Sequence, residues 1–383
     1  MNECEMNIRG SLQGARRVVV KVGTRVLVEK SGRPNQRRID ALAADLAALR
    51  KRGVDVMLVS SGAVGSGVDA LGMKIRPKTL PELQMAAAVG QARLMARYQK
   101  PFAKHKCQIG QLLLTYADLT HRERHLNIRN TVNALFQHGI IPIVNENDVV
   151  SVNEIKVGDN DVLAALSAIM IDADLLILLS TTNGFRKTLE SGRSRIVSYL
   201  PGVDQEAMRH VNGKGSDLST GGMETKLQAA QKAVDVGIAT VIADGRRSGV
   251  IQNIVDGKRC GTLIADPAWA LNERSLCARK RWIAYFNRAS GSITVDDGAK
   301  KALLENGKSL LPIGIKQVAG AFSKGDMVNI RDAAGAIIAT GLTDYSSEDV
   351  KRIMGRKTRE IREIMKTCEY DEVIHRDNLV VLK

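Results

Sequence analysis

Two lysines in this sequence stand beside glycine-containing turns, a setting that suits phosphate binding. Lys21 lies at the end of the apolar run 17–22 and is followed by Gly23 and Thr24. Glycine lets the backbone approach a ligand closely, and the N–H groups that follow it can bind an anion. Taken alone, this pattern is equally typical of a surface lysine beside an ordinary turn.

The second lysine, Lys226, ends a Ser-Thr-Gly-Gly-Met-Glu-Thr-Lys segment that leads into a predicted helix. Glycines at a helix N-terminus suit a polyphosphate, because unpaired N–H groups and the helix dipole favour negative charge there. A glycine hinge with a solvated lysine is the alternative, and we favour phosphate binding because Lys21 offers a second ammonium group. The candidate nucleotide loop consists of Thr220, Gly221, Gly222, Met223, Glu224, Thr225 and Lys226.

Three further segments carry polar groups directly after or between predicted elements. Residues 60–67 form a Ser- and Gly-rich connection that matches neither the P-loop nor the dinucleotide-binding glycine pattern, so neither of those enzyme classes is indicated. Residues 145–148 (Asn-Glu-Asn-Asp) and 156–161 (Lys-Val-Gly-Asp-Asn-Asp) are dense in side chains that also occur in ordinary turns. Their density favours a site that holds an ammonium group or Mg²⁺ and orients lysines.

Other catalytic centres are disfavoured. The sequence has no G-x-S-x-G nucleophile elbow, and its His121-Arg-Glu-Arg-His125 segment differs from the H-E-x-x-H metalloprotease motif. The five cysteines are widely spaced without a C-x-x-C pair, which argues against a disulfide framework and a structural zinc. We nominate no residue as a metal ligand, and we expect reduced thiols in a cytoplasmic protein.

Composition is that of an ordinary globular protein: 383 residues, 44% hydrophobic and 25% charged. The formal net charge of +15 suggests anionic ligands or nucleic acid. Residues 266–383 contain 20 basic and 16 acidic side chains, so most of the excess lies earlier in the chain. Because no long block of like charge occurs, a basic surface with an anion site is favoured over a nucleic-acid tract. Neither a membrane span nor a secretory signal is predicted.

The candidate residues must be positioned by alternating strands and helices. Short apolar strands between helices predict a parallel sheet covered on both faces, and in such sheets ligands bind at the carboxyl ends of the strands. Predicted strands cover residues 17–22, 54–59, 108–115, 140–144, 175–179 and 239–243. Predicted helices cover residues 37–52, 63–72, 79–104, 124–138, 161–171 and 225–236.

The pattern changes near residue 266. Short segments with turn signals at 291–296, 307–314, 325–330 and 336–342 predict a small β-rich second domain. We therefore predict a first domain over residues 16–265, a linker over 266–279 and a second domain over 280–370.

Together these motifs resemble the amino acid kinase superfamily, and within it the bacterial two-domain glutamate 5-kinase family. The stretches that carry the resemblance include Val-Lys-Val-Gly-Thr at 20–24, Ile-Lys-Val-Gly-Asp-Asn-Asp at 155–161 and Gly-Gly-Met-Glu-Thr-Lys at 221–226. The last 100 or so residues look like the PUA domain that this family carries. The resemblance implies a three-layer αβα fold with a mainly parallel central sheet, followed by a small β-rich domain.

The activity that the resemblance implies is ATP- and Mg²⁺-dependent phosphorylation of the γ-carboxylate of L-glutamate. The product is γ-glutamyl 5-phosphate, and the reaction is the first step of proline biosynthesis. The resemblance also implies feedback inhibition by proline, a homo-oligomer (dimer or tetramer) and transfer of the product to glutamyl phosphate reductase.

The same resemblance implies roles for individual residues. Lys21 and Lys226 contact the phosphoryl group and ATP, and Asp161 holds the two lysines in place. Thr181 stands where the family usually has an acidic residue, in a segment that contacts the nucleotide. Glutamate is bound by Ser61, Gly62, Asp148 and Asn160. The nucleotide is bound by Lys21, Ser180, Thr181 and the loop of residues 220–226.

Two alternatives stay open from the sequence. One is another kinase of the superfamily, acting on acetylglutamate, aspartate, carbamate or UMP, which the C-terminal domain and the Asp148 and Asn160 cluster argue against. The other is a non-catalytic protein that binds RNA through the PUA-like domain. That domain has a small charge excess and few aromatic side chains for base stacking, so RNA binding is disfavoured.

Overall fold

The computed structural model describes residues 3–29, 34–150, 160–188, 193–210, 222–271, 289–356, 360 and 371–382. The chain divides into two compact units, Met1–Ser275 and Leu276–Lys383. Most of the predicted linker, from residue 272 onward, lies outside the described residues. The domain boundaries named above therefore stay a prediction.

An eight-stranded sheet forms the centre of the first unit. Its strands are β1 (Arg17–Val22), β2 (Asp55–Val59), β3 (Ile109–Leu114), β4 (Ile141–Glu146), β5 (Leu175–Ser180), β8 (Tyr199–Leu200), β9 (Ala239–Asp244) and β10 (Thr262–Ile264). The strand order is β3-β4-β2-β1-β5-β9-β10-β8, and neighbours run parallel except at the β9–β10 pair. A short antiparallel hairpin, β6 (Arg186–Thr188) and β7 (Ser194–Ile196), stands outside the sheet.

Helices connect the strands and bury their apolar faces against them. They are α1 (Glu3–Ser11), α2 (Thr24–Leu27), α3 (Gln36–Lys51), α4 (Ala63–Ala70), α5 (Leu80–Lys104), α6 (Tyr116–Thr120), α7 (Arg122–Gln137), α8 (Asn160–Met170), α9 (Gln205–Arg209), α10 (Met223–Val234) and α11 (Val250–Val255). In α3 the apolar residues recur at helical spacing and are buried, and the Asn35 side chain caps the first turn by accepting from the Arg38 amide.

The six predicted strands of this unit and its six predicted helices are confirmed to within a few residues. The central strands are buried on both faces, as the continuous apolar runs predict: every residue from Val18 to Val22 in β1 is buried, and so is nearly all of β5. The predicted fold class, a mainly parallel sheet between helical layers, is confirmed.

Two glycines allow α4 and α5 to cross in direct backbone contact. A Cβ atom on Gly67 of α4 would overlap the carbonyl oxygen of Ala86, and one on Gly90 of α5 would overlap the carbonyl oxygen of Ala63. Since α4 begins directly after Ser61 and Gly62, this crossing fixes the position of the Ser- and Gly-rich turn. The side chain of a larger residue has no room at either position.

Gly90→Ala is expected to lower the free energy of unfolding by about 1–3 kcal/mol, because the added methyl must push the two helices apart. Gly65→Ala is the matched control: it lies on α4 where an added Cβ atom would meet open space, and alanine is the better helix former. Urea denaturation of both variants measures the difference. Equal stability of Gly90→Ala and the wild type would contradict the tight crossing.

The second unit contains a five-stranded sheet with the order β12-β11-β13-β14-β15. Its elements are β11 (Gly291–Val295), α12 (Asp297–Leu304), β12 (Ile315–Gly320), β13 (Met327–Arg331), β14 (Ile337–Leu342), α13 (Ser347–Ile353) and β15 (Leu379–Val381). Ile293, Val328 and Ile330 belong to its own buried core. The predicted β-rich character is confirmed. Residues 307–314, however, hold an isolated bridge at Leu310 and a 3₁₀ turn, and the strand follows them.

Three of the five cysteines lie among the described residues. Cys4, Cys107 and Cys260 are free thiols, while Cys277 and Cys368 lie outside the described residues. No helix in the described part of the chain combines the length and the apolar character needed to cross a membrane.

Candidate active site

Several of the predicted site residues lie at the carboxyl-terminal edge of the large sheet. Lys21 is the penultimate residue of β1, and Ser61 follows β2 closely. Ser180 ends β5. Asn160 and Asp161 open α8, and Lys226 lies in the first turn of α10. The edge that the sequence indicated for ligand binding is therefore where these side chains are placed.

Lys21 and Lys226 meet on a single carboxylate. The Nζ atom of Lys21 lies 2.5 Å from Oδ1 of Asp161, and the Nζ atom of Lys226 lies 2.8 Å from Oδ2. All three side chains are buried, with exposed fractions of 4%, 7% and 0% for Lys21, Lys226 and Asp161. The Thr225 hydroxyl lies 3.5 Å from the same Oδ2 atom and donates to the carbonyl oxygen of Gly222 at 2.9 Å.

The charge balance of this cluster determines its protonation. Burial by itself raises the pKa of Asp161, but the ammonium groups of Lys21 and Lys226 outweigh it and hold that pKa below its ordinary value. The carboxylate is therefore ionised at neutral pH. Among the described residues, this cluster brings two ammonium groups and one carboxylate to a buried sheet edge, which is a suitable place for a phosphate.

The candidate nucleotide loop is described only in part. Thr220 and Gly221 lie outside the described residues, whereas Gly222 precedes α10 and Met223 begins it. Glu224 is exposed on α10 and its carboxylate accepts from the Gln228 side chain at 3.3 Å, along the helix and not within the lysine cluster.

Asn160 connects the cluster to a second polar network. Its Nδ2 group, which has two N–H donors, lies within hydrogen-bond distance of three acceptors: the carbonyl oxygen of Ser60 at 2.8 Å, Oγ of Ser61 at 2.9 Å and Oδ1 of Asn145 at 3.1 Å. The Ser60 hydroxyl is hydrogen-bonded to the buried Tyr98 hydroxyl at 2.8 Å. Oδ1 of Asn160 and Nδ2 of Asn145 are buried and have no hydrogen-bond partner among the described residues. An acceptor and a donor are thus left available for a ligand.

In the sequence, Asn145 was named only as part of the candidate segment 145–148, and the family resemblance assigned a role to Asp148 alone. Gly62, which was singled out, precedes α4 with φ +101°, a backbone conformation that side chains other than glycine rarely adopt. It therefore shapes the turn that carries Ser61.

Asp148 lies two residues beyond β4 and is half-buried. Burial raises its pKa to about 6; the nearby Glu146 carboxylate acts in the same direction and Arg76 opposes it. A carboxyl with this pKa changes its charge close to neutral pH.

Ser180 and Thr181 lie where β5 ends, beside the end of β9. The Ser180 carbonyl oxygen accepts from the Gly245 amide at 2.9 Å, and the Thr181 carbonyl oxygen accepts from Nη2 of Arg246 at 2.8 Å. Asp244 and Arg246 were missed in the sequence. The only available signal was an Asp-Gly-Arg sequence at the end of a predicted strand.

The residues at this edge fit a nucleoside triphosphate. A Cβ atom on Gly23 would lie 3.8 Å from Nζ of Lys21, so the missing side chain leaves space beside the ammonium group. The described residues contain no group of three or more His, Cys, Asp or Glu side chains suited to a metal ion. Mg²⁺ is commonly held by one or two carboxylates together with the phosphates of the nucleotide, so it does not require a cluster of three protein ligands.

Comparison with known proteins agrees with this arrangement. The family model described as "Amino acid kinase family" matches residues 16–244, and the PUA domain model matches residues 291–365. A Moorella thermoacetica protein named glutamate 5-kinase is 46% identical over 380 residues, which is 99% of both chains. Proteins of the same name from Syntrophus aciditrophicus and Methylococcus capsulatus are 43% and 44% identical, covering 100% and 98% of this chain and 98% and 100% of their own. The chain belongs to the amino acid kinase family, among its two-domain relatives named glutamate 5-kinase.

Proposed function

We propose that the chain transfers the γ-phosphoryl group of ATP to the γ-carboxylate of L-glutamate and forms γ-glutamyl 5-phosphate. The observation that carries this proposal is the buried cluster of Lys21, Asp161 and Lys226, placed directly beside the Asn160 network. Asn160 and Asp161 are consecutive residues, so the phosphate-binding and polar networks meet at the start of one helix. The full-length relatives named glutamate 5-kinase support the choice of substrate.

The chemistry explains why the site needs no histidine or serine nucleophile. The γ-carboxylate of glutamate has a pKa of about 4.3, so it is already an anionic nucleophile at neutral pH. The remaining task is to bring two anions together and to neutralise the transferring group. ATP, when bound, would supply the phosphoryl group, and Mg²⁺ bound with it would help to neutralise the charge of the transferring group. Lys21 and Lys226 would hold these phosphates, and Asp161 keeps both ammonium groups in place.

The polar network suits the amino-acid end of glutamate. The unpaired Nδ2 group of Asn145 can donate to a carboxylate, and the unpaired Oδ1 atom of Asn160 can accept from an ammonium group. The family resemblance assigns Asp148 to glutamate binding, and its carboxylate would provide a negative charge for the same ammonium group. An N-acetylated substrate has a neutral amide in place of the ammonium group, so this arrangement favours glutamate over acetylglutamate.

The activity is tested by incubating the full chain with ATP, Mg²⁺, L-glutamate and hydroxylamine, which converts an acyl phosphate into a coloured hydroxamate. Aspartate and N-acetylglutamate serve as parallel substrates. We expect γ-glutamyl hydroxamate from glutamate alone. Hydroxamate from N-acetylglutamate or aspartate and none from glutamate would overturn the proposed substrate.

The remaining expectations rest on the family resemblance and belong to the same proposal. Proline is expected to inhibit the assay, and the chain is expected to form a dimer or tetramer in the cytoplasm. The acyl phosphate product is labile, so direct transfer to glutamyl phosphate reductase is chemically favourable. Adding proline to the hydroxamate assay and measuring the mass in solution test the first two points.

The pH dependence follows from Asp148. Above its pKa of about 6 the carboxyl is ionised and can pair with the ammonium group of glutamate; below it the carboxyl is protonated and cannot. We expect kcat/KM for glutamate to fall about tenfold between pH 7 and pH 5, since this ratio reports groups of the free enzyme. Asp148→Asn is the control and should lose this fall. A wild-type profile that stays flat over the range would contradict the role of Asp148.

A further inference from the structure

An arginine and an aspartate form a bidentate pair at the end of β9. Nε of Arg246 donates to Oδ1 of Asp244 at 2.8 Å, and Nη2 donates to Oδ2 at 2.8 Å. The Arg246 amide also donates to Oδ1, at 3.0 Å. This pairing lowers the pKa of Asp244 and raises that of Arg246, so both groups are charged at neutral pH. Asp244 is buried, which fixes the guanidinium group in one orientation.

The same guanidinium group fixes the turn that follows β5. Its Nη2 atom donates to the Thr181 carbonyl oxygen at 2.8 Å, and the Gly245 amide donates to the Ser180 carbonyl oxygen at 2.9 Å. A Cβ atom on Gly245 would lie 2.9 Å from side-chain atoms of both Leu179 and Val26, so this segment is packed closely onto β5. The turns after β5 and β9 are therefore held together.

This double turn adjoins the phosphate-binding lysine. The Gly23 amide, two residues beyond Lys21, donates to the Leu179 carbonyl oxygen at 3.3 Å, directly before Ser180. Lys21 and Leu178 are paired residues of the neighbouring strands β1 and β5. Arg246 thus lies two strands from Lys21 at the same ligand-binding edge, with 46% of its side chain exposed.

The donor inventory of Arg246 leaves one group for a ligand. A guanidinium has five N–H donors. The Nε–H group and the two Nη2–H groups are engaged by Asp244 and Thr181, and no hydrogen bond of Nη1 occurs among the described residues. An arginine held in this way presents a fixed pair of donors suited to a phosphate or a ribose hydroxyl.

We propose that Arg246, oriented by Asp244, positions the Thr181 turn and binds the nucleotide through its Nη1 group, and so sets the affinity for ATP. The inference rests on the proposed function, because it assumes that a nucleoside triphosphate occupies this edge. It assigns Arg246 no part in binding the amino-acid substrate, since the Asn160 network lies on the other side of the lysine cluster along the strand order.

The test compares Arg246→Ala with Arg247→Ala, which removes the same charge from the next exposed residue. We expect Arg246→Ala to raise KM for ATP about tenfold, with KM for glutamate within twofold of wild type. Arg246→Lys should recover part of the affinity, and Arg247→Ala should resemble wild type. An unchanged KM for ATP, or an equal effect of Arg247→Ala, would overturn the proposal.

A binding measurement separates this proposal from the function it rests on. The shift in melting temperature on adding ATP with Mg²⁺, without any second substrate, reports nucleotide binding alone. A smaller shift in Arg246→Ala supports the proposal even if glutamate yields no hydroxamate. An equal shift in Arg246→Ala and wild type overturns it even if glutamate is phosphorylated.

Discussion

Lys226→Ala is expected to lower kcat by about 10²–10³-fold, which corresponds to a loss of about 3–4 kcal/mol of transition-state stabilisation. The ammonium group of Lys226 is buried at the sheet edge and held by Asp161. Water therefore screens its attraction for a transferring phosphoryl group only weakly. Asp161 keeps its pairing with Lys21 in this variant, so the chain should still fold. The hydroxamate assay measures kcat.

Lys232→Ala is the control for this experiment, since it removes the same charge from the same helix outside the cluster. It should leave kcat within twofold of wild type. Near-wild-type kcat in Lys226→Ala, with the melting temperature unchanged, would remove Lys226 from the phosphoryl-transfer site.

Asp161→Asn is expected to lower the free energy of unfolding by about 3–5 kcal/mol and to abolish activity as well. The substitution removes the buried carboxylate that both ammonium groups contact, which costs far more than breaking a surface pair. Because the pKa of Asp161 lies below its unfolded value, its stabilisation is complete above pH ~4 and is lost on further acidification. The difference from wild type should therefore be measured by urea denaturation at pH 7.

Asp69→Asn provides the comparison. Asp69 pairs with Arg97 at 3.1 Å on the surface, and exposed pairs contribute about 0–1 kcal/mol. If Asp161→Asn is no less stable than Asp69→Asn, Asp161 does not hold the two lysines in the way that the geometry indicates.

The sequence predicted the sheet well because its strands are short apolar runs bounded by polar turns. It also placed the candidate ligand-binding residues at one edge, since parallel strands end there together. That Lys21 and Lys226 meet on Asp161 follows from the family resemblance and from the structure, because spacing along the chain does not determine which side chains approach one another. The roles of the site residues stay predictions, and Thr220 and Gly221 lie outside the described residues.

Other features had no readable signal. The hydrogen bond from Arg246 to the Thr181 carbonyl oxygen joins segments that are distant in the sequence. Because its acceptor is a backbone atom, no residue type predicts it. The buried Nδ2 donor of Asn145, which has no partner among the described residues, follows from contacts between distant segments that the residue type does not predict. In the second unit, the strand Ile315–Gly320 follows the segment 307–314 because Pro312 and Gly314 form a 3₁₀ turn there.

The first turn of α8 has a consequence for substrate length. Asn160 faces the polar network while Asp161, its neighbour, anchors the lysines, and the helix that carries them is buried along its length. Under the proposed function, these two consecutive residues fix the distance between the amino-acid end of the substrate and the phosphorus atom. Aspartate, one methylene shorter, would place its carboxylate roughly 1 Å short of attack, and a misplacement of that size costs about 10²-fold in rate. Selection between the two amino acids would then depend on reach as much as on charge.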